Sequence, residues 1–260
     1  MLLKITPLIL TYNEAPNIGR TLRKLSWAKE IIVIDSYSKD ETLDIIKSYP
    51  QIKVFQRNFD THANQWNYGL EQVESEWVLS LDADYFIPDR LVDEISSLNN
   101  SSVDGYFIPF KYCVFGKPLK RAILPSRQSL FRKETCIYID DGHTQLLVNR
   151  GLSALIHAPI YHDDRKPVTR WFNSEIKYAA LEMKKLVETP VEELSLVEKI
   201  RLKKVFAPIL VLIYCLIYKG GILDGWHGIY YASQRVLAEL LLSIKLIENQ
   251  FYNPKVNDYD

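Results

Sequence analysis

The feature that most constrains the fold is the alternation of short apolar runs with stretches of helical periodicity over the first hundred residues. Continuous apolar runs bounded by polar residues are typical of buried strands, and apolar residues three and four apart are typical of helices. Strands that alternate with helices predict a parallel sheet covered by helices, which is an α/β fold. The predicted strands lie at residues 7–10, 31–34, 54–55 and 77–81.

Apolar stripes predict a helix after each of the first three strands. Ser38 and Glu41 have the spacing of a capping box, so we expect the second helix to begin there. Parallel strands end at one edge of a sheet, so that edge is predicted to bind the ligand. The three stripes are Ile18, Leu22 and Leu25; Leu43 and Ile46; and Ala63, Trp66, Leu70 and Val73.

The pattern changes beyond residue 105. Strand-like segments at 106–110 and 129–131 predict a mixed or antiparallel extension of the sheet. From about residue 167 the chain has the periodicity of helices, including segments at roughly 197–218 and 226–249. We therefore predict an α/β domain at 1–166 and a helical C-terminal region at 167–260.

Composition excludes several classes of protein. The chain has 32 Lys and Arg against 32 Asp and Glu and is 47% hydrophobic, which excludes intrinsic disorder and gives no basic excess for nucleic acid. Cys113, Cys136 and Cys215 are odd in number and form no CxxC, so neither a disulfide framework nor a structural zinc site is indicated. The N-terminal residues lack the pattern of a signal peptide, and we expect a cytoplasmic protein.

The most apolar stretch of the chain lies at residues 205–218. Fourteen helical residues rise about 21 Å against a hydrocarbon core of roughly 30 Å, so this segment should not span a membrane. The cations Lys199, Arg201, Lys203 and Lys204 precede it, which suits a helix lying on the anionic cytoplasmic face of an inner membrane. A buried helix or a homo-oligomer contact would account for the same apolar run, and the sequence leaves these alternatives open.

Two carboxylates follow the last of the four predicted strands. Asp82 and Asp84 form a D-x-D motif at the end of the apolar run. Mg²⁺ and Mn²⁺ bind oxygen ligands, commonly one or two carboxylates together with substrate phosphates. The motif therefore indicates a metal-diphosphate site, although an ordinary strand-to-helix turn can have the same sequence.

Polar residues also follow two other strands, and together the three motifs resemble a known family. Residues 8–14 read LILTYNE, residues 32–36 read IVIDS with DET at 40–42, and residues 81–84 read LDAD. These segments resemble the three opening motifs of the inverting glycosyltransferases of family 2. Residues 27–31, which read WAKEI before the second strand, resemble most the bacterial enzymes of lipopolysaccharide core and related surface-glycan assembly. The resemblance covers residues 5 to about 165 and implies the GT-A fold, a nucleotide-binding α/β sheet.

The resemblance implies roles for individual residues. The metal is expected to be Mn²⁺ or Mg²⁺, with Asp84 as its direct ligand, Asp82 on ribose and metal diphosphate, and His162 as a further candidate ligand. His162 has a purely structural role as its alternative. The base and ribose of the donor are expected to contact Thr11, Tyr12, Glu14 and Asp35.

One departure from the family pattern shifts the expected phosphate contacts. Relatives usually carry Gln-Arg-Asn in the third helix, where this chain has Gln65, Trp66 and Asn67. We expect Asn67 to contact the donor nucleotide, and Arg127 or Arg132 to neutralise the diphosphate in place of the missing arginine.

The catalytic base is expected downstream of the D-x-D motif. An inverting transfer needs a carboxylate that takes the proton of the acceptor hydroxyl. Residues 140–145 read DDGHTQ, and relatives often have His-Glu here, whereas His143 is followed by Thr144. We assign the base to Asp141, with Asp140 second, and a polar turn capped by Asp and Gly as the alternative.

The sequence thus predicts a metal-dependent, inverting glycosyltransferase that moves a sugar from a nucleotide donor to a glycan or lipid-linked acceptor. One alternative is a sugar nucleotidyltransferase, which would need a Gly-rich phosphate loop after the first strand, where this chain has Thr-Tyr-Asn-Glu. A second alternative is a non-catalytic membrane-associated scaffold on the same fold.

Overall fold

A computed structural model describes residues 1–99, 102–120, 122–141 and 144–252. The chain divides into two compact units. The first unit comprises Met1–Pro118 and Leu124–Lys166, and the second comprises Leu119–Ile123 and the chain from Pro167 onward. Each unit is described by itself.

The first unit is a mixed α/β structure. Its helices are α1 (Ile18–Arg23), α2 (Thr42–Lys47), α3 (His62–Gln72) and α4 (Asp89–Ser96). Its strands are β1 (Ile5–Thr11), β2 (Ile31–Asp35), β3 (Ile52–Gln56), β4 (Trp77–Asp82), β5 (Tyr85–Phe86), β6 (Gly105–Ile108), β7 (Phe110–Val114), β8 (Lys117–Pro118), β9 (Arg127–Arg132), β10 (Cys136–Asp141), β11 (Thr144–Asn149), β12 (Ser153–Leu155) and β13 (Ile160–His162).

Within the described part of the chain, seven strands form the main sheet in the order β12-β6-β9-β4-β1-β2-β3. The block β4-β1-β2-β3 is parallel, whereas β9 is antiparallel to both of its neighbours, β4 and β6. The predicted α/β class with a mixed extension is confirmed. A smaller sheet has the order β5-β13-β7-β8, and β10 and β11 form an antiparallel hairpin.

Both faces of the main sheet are covered by apolar residues. Successive residues of β1 alternate between two hydrophobic clusters, since Ile9 packs with Leu22 of α1 and Leu8 packs with Trp66 of α3. A central parallel strand buried on both faces requires the continuous apolar sequence seen in β1, β2 and β4. The result is a rigid platform whose carboxyl-terminal edge carries the polar residues at the strand ends.

The second unit is helical in its described residues. Its helices are α5 (Val168–Glu188), α6 (Leu196–Leu202), α7 (Phe206–Ile213) and α8 (Trp226–Tyr252), with a π-helical turn at Tyr214–Tyr218. The segment predicted as helical at roughly 197–218 is helical but divided between α6 and α7, because the chain turns at Lys204, whose φ is +59°. Ser195 and Glu198 begin α6 with a reciprocal capping box.

A buried ion-pair network joins three helices of this unit. Arg201 of α6 pairs with Glu182 of α5 at 3.1 Å and with Glu239 of α8 at 2.7 Å, and both carboxylates are buried. Arg201 is therefore not one of the surface cations that the sequence indicated. Among the described residues, no helix combines the length and hydropathy that a membrane-spanning segment needs.

Candidate functional site

The loops after β1 and β2 are held together by a buried carboxylate. Thr11 and Asp35 are register partners at the ends of these strands, and the Thr11 hydroxyl donates to Asp35 at 3.1 Å. Asp35 is fully buried and also accepts hydrogen bonds from the backbone and hydroxyl of Ser38 and from the amide of Gln56. This carboxylate therefore fixes the position of the loop that follows β2.

The same two loops exchange further hydrogen bonds. The N–H of Asn13, which has a φ of +55°, donates to the Ser38 hydroxyl at 2.7 Å, and the N–H of Glu14 donates to the Thr42 hydroxyl at 2.6 Å. The predicted capping box at Ser38 is wrong, because its hydroxyl serves Asp35 and Asn13 while α2 begins at Thr42. Tyr12 lies on this platform with 49% of its surface exposed.

Asp84 is a buried carboxylate just beyond the end of β4. Its Oδ2 lies 3.1 Å from Nε2 of His162, and its Oδ1 is buried with no hydrogen-bond partner among the described residues. Burial alone would raise the pKa of Asp84, but the charge and hydrogen bond of His162 and the charge of Lys166 lower it to about 2. Asp84 is therefore an ionised carboxylate with one oxygen left for a ligand.

His162 is fixed opposite Asp84 by the smaller sheet. It ends β13 and is the register partner of Tyr85 in β5 and of Tyr112 in β7, and its ring meets both tyrosine rings edge to face. Burial opposes the charged imidazole, but Asp84 outweighs this effect and raises the pKa of His162. The structure thus brings together the two predicted site residues Asp84 and His162.

Lys166 is a residue of this site to which the sequence assigned no role. Its Nζ lies 2.6 Å from Oε1 of Glu14, whose other oxygen accepts from the Asn17 amide at 2.9 Å. Burial raises the pKa of Glu14 to about 7 despite the attraction of Lys166. The only signal in the sequence was the position of Lys166 in the polar cluster that follows His162.

The segment that carries His162 is clamped to α1 by Asp163. The Asp163 N–H donates to the backbone oxygen of Asp84 at 3.1 Å. Its buried carboxylate pairs with Arg20 at 2.6 Å and with Arg165 at 2.8 Å. Because Arg20 belongs to α1, these contacts fix the position of His162 relative to the strand ends.

Arg127 lies beside Asp82, and Arg132 does not. Nη1 of Arg127 donates to the Tyr85 hydroxyl at 3.2 Å, and the charges of Tyr85 and then Asp82 raise the pKa of Arg127. The β4–β9 register pairs Trp77 with Arg132 and runs to Leu79 and Leu130, so Arg127 lies toward the Asp82 end of β4.

The expectation that Arg132 lies near the D-x-D motif is corrected by this register. Arg127 and Arg132 are five positions apart in β9, and at the rise of a strand this separates their Cα atoms by about 17 Å. Arg132 instead pairs with Glu76 and Asp104 and lies 4.8 Å from the ring of Trp77.

Asn67 and the two candidate bases are connected through β10. The Asn67 amide donates to the Tyr138 oxygen at 2.9 Å and accepts from the Tyr138 N–H at 3.0 Å, so both of its polar atoms hold the backbone of β10. Asp140 and Asp141 lie at the exposed end of this strand. Gly142 and His143 lie outside the described residues.

The chemistry of the donor set fits a hard divalent cation that binds together with a ligand. In the described part of the chain, no group of three or more His, Cys, Asp and Glu is arranged to hold a metal ion by itself. Mg²⁺ and Mn²⁺ commonly bind through one or two carboxylates plus substrate phosphates. The unpartnered oxygen of Asp84, with Asp82 two residues before it, suits such a shared site.

The chain is similar to known glycosyltransferases. The family model described as "Glycosyl transferase family 2" matches residues 8–152. The chain is 37% identical over 86 residues to the SPbeta prophage-derived glycosyltransferase SunS of Bacillus subtilis. This match covers 31% of the chain and 20% of SunS. It is also 29% identical over 86 residues to the lipopolysaccharide core biosynthesis glycosyltransferase LpsC of Rhizobium meliloti, over 32% of each chain. The matches thus span a fifth to a third of these relatives.

A solved structure shares the fold. The crystal structure of TarS residues 1–349 from S. aureus, in complex with UDP-GlcNAc, is similar with a TM-score of 0.50 and 16% sequence identity. The similarity covers 99% of this chain and 94% of that one. The fold class inferred from the sequence motifs is confirmed.

Proposed function

Because the chain belongs to glycosyl transferase family 2, we propose that this glycosyltransferase moves a sugar from a nucleotide donor to a glycan or lipid-linked acceptor of a bacterial surface polysaccharide. The similarity to LpsC, a protein of lipopolysaccharide core biosynthesis, supports the acceptor class. The shared fold of TarS, which was crystallised with UDP-GlcNAc, supports a nucleotide-sugar donor.

The base and ribose of the donor bind on the platform formed by the loops after β1 and β2. Tyr12 is a half-exposed side chain of this platform, and we assign its ring to contact with the nucleobase. Thr11 and Asp35 are buried and engaged with one another, so they act by fixing the shape of the platform. Glu14 is held by Lys166 and Asn17, which makes it a further part of this support.

The single observation that carries the proposal is the unpartnered, buried Oδ1 of Asp84. His162 engages the other oxygen, Oδ2, and so fixes the carboxylate with Oδ1 free to bind Mn²⁺ or Mg²⁺. Asp82 lies next to the same strand end, where it can bind ribose or the metal diphosphate. The bound cation would supply positive charge to the diphosphate as it leaves.

Arg127 provides a second positive charge at this edge. It interacts electrostatically with Asp82 and donates to Tyr85, so its guanidinium is held beside the end of β4. An arginine placed next to a diphosphate stabilises the charge that develops there by charge-assisted hydrogen bonds. Arg127 thus takes the role of the arginine that relatives carry in the third helix.

The acceptor is activated by a carboxylate at the end of β10. Inversion requires that the base remove the proton of the acceptor hydroxyl while this oxygen attacks the anomeric carbon opposite the leaving nucleotide. Alternate residues of a strand share a face, so Asp140 shares the face of buried Tyr138 and Asp141 shares that of exposed Ile139. This alternation favours Asp140, whereas the sequence favoured Asp141.

Nucleotidyl transfer is disfavoured by the backbone of the loop after β1. Three successive backbone N–H groups of this loop, those of residues 13–15, are already engaged. They donate to the side chains of Ser38, Thr42 and Asp40, which lie in the loop before α2 and at its first residue. A phosphate-binding loop needs such N–H groups free to face the phosphates.

Metal-dependent binding of a nucleoside diphosphate tests the site. Thermal unfolding is measured with a panel of nucleoside diphosphates, with and without Mn²⁺. A ligand at a hundred times its Kd stabilises the folded state by about 2.7 kcal/mol. We expect one nucleoside diphosphate of the panel to stabilise wild-type protein more strongly when Mn²⁺ is present. The Asp84→Asn substitution should abolish this effect of Mn²⁺.

The matched control is Asp44→Asn, which removes an exposed carboxylate paired with Lys47 at 2.8 Å. This control should retain the full Mn²⁺ effect. Circular dichroism checks that Asp84→Asn is folded. A folded Asp84→Asn protein that keeps the Mn²⁺-dependent stabilisation would exclude Asp84 as the metal ligand.

A further inference from the structure

The second unit exposes a large apolar surface along α7 and the turns that follow it. We define the α7 surface by Phe206, Ile209, Ile213, Ile217, Leu223 and Trp226, each of which is between 48% and 73% exposed. Contiguous exposed apolar patches of this kind mark sites of interaction with a protein or a membrane.

The exposed residues follow from the sequence of α7. The spacing of Phe206, Ile209, Ile213 and Ile217 places them along one side of the helix. The buried residues of α7 are Ala207 and Pro208, and the helix packs against α8. A helix that is apolar all round is normally covered on every side, so the exposed side requires a partner.

The charges around the α7 surface identify the chemistry of that partner. Between Lys199 and Ala238 the sequence contains one acidic residue, Asp224. Asp224 is 5% exposed and accepts a hydrogen bond from the N–H of Lys120 at 3.1 Å, so it does not contribute a surface carboxylate. The lysines Lys203, Lys204 and Lys219 flank α7 and its π-helical turn without an acidic neighbour in this stretch.

From these observations we propose that the α7 surface binds an anionic lipid membrane. Apolar side chains enter the boundary between headgroups and acyl chains, and the flanking lysines contact the acidic headgroups. Trp226 and Tyr218, which are 57% and 73% exposed, have the amphipathic rings that favour this boundary. Lys219 lies 5.6 Å from the ring of Tyr214, so its charge is held at the edge of the surface.

The dimensions of the segment favour an orientation in the plane of the membrane. The 13 residues from Phe206 to Tyr218 form α7 and the π-helical turn. At the rise of a helix they extend about 20 Å, which is less than the hydrocarbon thickness of roughly 30 Å.

A second copy of the chain fits this surface less well. A two-fold contact would place the α7 surface of one copy against the same surface of the other, so the lysines of both copies would lie close together. This stretch of sequence has no exposed carboxylate that could neutralise them. Like charges across an interface oppose association. An anionic lipid membrane offers acyl chains to the apolar side chains and acidic headgroups to the lysines.

Co-sedimentation with vesicles tests the proposal. Full-length protein is mixed with vesicles of phosphatidylcholine alone or with 30% phosphatidylglycerol, at low and high salt. We expect binding to the anionic vesicles that decreases with salt, because screening weakens the headgroup attraction. A lysine near such a surface contributes about 1 kcal/mol, or roughly fivefold in affinity, so Lys203→Gln, Lys204→Gln and Lys219→Gln together should weaken binding about a hundredfold.

The matched control replaces Lys4, Lys29 and Lys47 by Gln, which changes the net charge equally at exposed sites of the first unit. It should bind like wild type. A separate variant, Ile213→Ser with Ile217→Ser, changes exposed side chains only and should also lose binding.

Analytical ultracentrifugation without lipid distinguishes the competing partner. A wild-type protein that ignores anionic vesicles at low salt would overturn the proposal. A stable oligomer that the isoleucine variant converts to monomer would identify the α7 surface as a subunit interface instead. Equal vesicle binding by the two triple-lysine variants would likewise contradict it.

Discussion

At the scale of single residues, the two arginines of β9 provide a matched comparison. Arg127 interacts electrostatically with Asp82, whereas Arg132 is the register partner of Trp77 at the other end of β4. Hydrogen bonds to charged groups contribute about 1.5–3 kcal/mol. We predict that Arg127→Gln weakens the binding of the nucleoside diphosphate by roughly 10- to 100-fold, as measured by isothermal titration calorimetry.

Arg132→Gln is the control for that measurement. It should leave the affinity unchanged and lower the stability, because it removes the ion pairs with Glu76 and Asp104. An affinity loss of equal size in both variants would show that Arg127 has no specific role at the diphosphate.

The end of β10 provides the second comparison at this scale. If Asp140 takes the acceptor proton, Asp140→Asn should retain donor affinity and lose roughly 10² to 10⁴ in turnover, which is the usual contribution of a general base. Asp141→Asn should have the smaller effect, because Asp141 shares the strand face of exposed Ile139, whereas Asp140 shares that of buried Tyr138. The reverse order, measured under saturating donor and acceptor, would assign the base to Asp141.

The strand-end residues of the site could be predicted from the sequence, whereas their partners could not. Asp84 comes two residues after the end of an apolar strand, so the sequence predicted its position at the edge of the sheet. Its contact with His162, which lies 78 positions further along the chain, depends on the pairing of β13 with β5. The placement of Arg132 failed for the same reason, because strand direction decides which end of β9 faces the site.

At the scale of secondary-structure elements, Gly69 sets how closely α3 packs on the sheet. A Cβ built at Gly69 would lie 2.7 Å from Cδ1 of Leu8 and 3.1 Å from Cγ1 of Ile34. Both side chains are fully buried. Overpacking of a core costs about 1–3 kcal/mol, so we predict that Gly69→Ala destabilises the protein despite the better helix propensity of alanine.

Gly19 in α1 is the matched control for this substitution. A Cβ there would meet Cγ2 of Ile45 at 3.4 Å, an ordinary contact. Gly19→Ala should therefore be neutral or stabilise by up to about 1 kcal/mol. Urea unfolding of both variants measures the difference, and equal stabilities for the two would contradict the close packing of α3.

The types of the first four strands and of the three helices between them followed from sequence patterns, but two boundaries did not. The apolar runs predicted β1, β2 and β4 because buried parallel strands need apolar sequence, whereas only Val54 and Phe55 marked the more exposed edge strand β3. The turn at Lys204 could not be predicted, because a lysine with positive φ leaves no mark in the hydropathy pattern. The capping box predicted at Ser38 failed for a related reason. The Ser38 hydroxyl accepts a hydrogen bond from the N–H of Asn13, in the loop after β1, and does not cap the first turn of α2.

At the scale of the whole molecule, the order of the three motifs along the chain carries most of the functional information. The first two motifs are joined by the hydrogen bonds of Asp35, Ser38 and Asn13, and the third supplies Asp84 at the same sheet edge. These local sequences determine the family and the architecture of the platform. Donor and acceptor identity depend on a few pocket contacts, which such motifs do not encode.

Release of nucleoside diphosphate from a panel of nucleotide sugars tests the central claim most directly. With Mn²⁺, we predict that wild-type protein releases diphosphate from one of these donors. Folded Asp84→Asn should lose at least about a hundredfold in that rate, because the charge stabilisation supplied by a bound cation is several kcal/mol. Equal rates for wild type and Asp84→Asn, or no release of nucleoside diphosphate from any donor together with release of pyrophosphate from a nucleoside triphosphate and a sugar 1-phosphate, would contradict glycosyl transfer at this site.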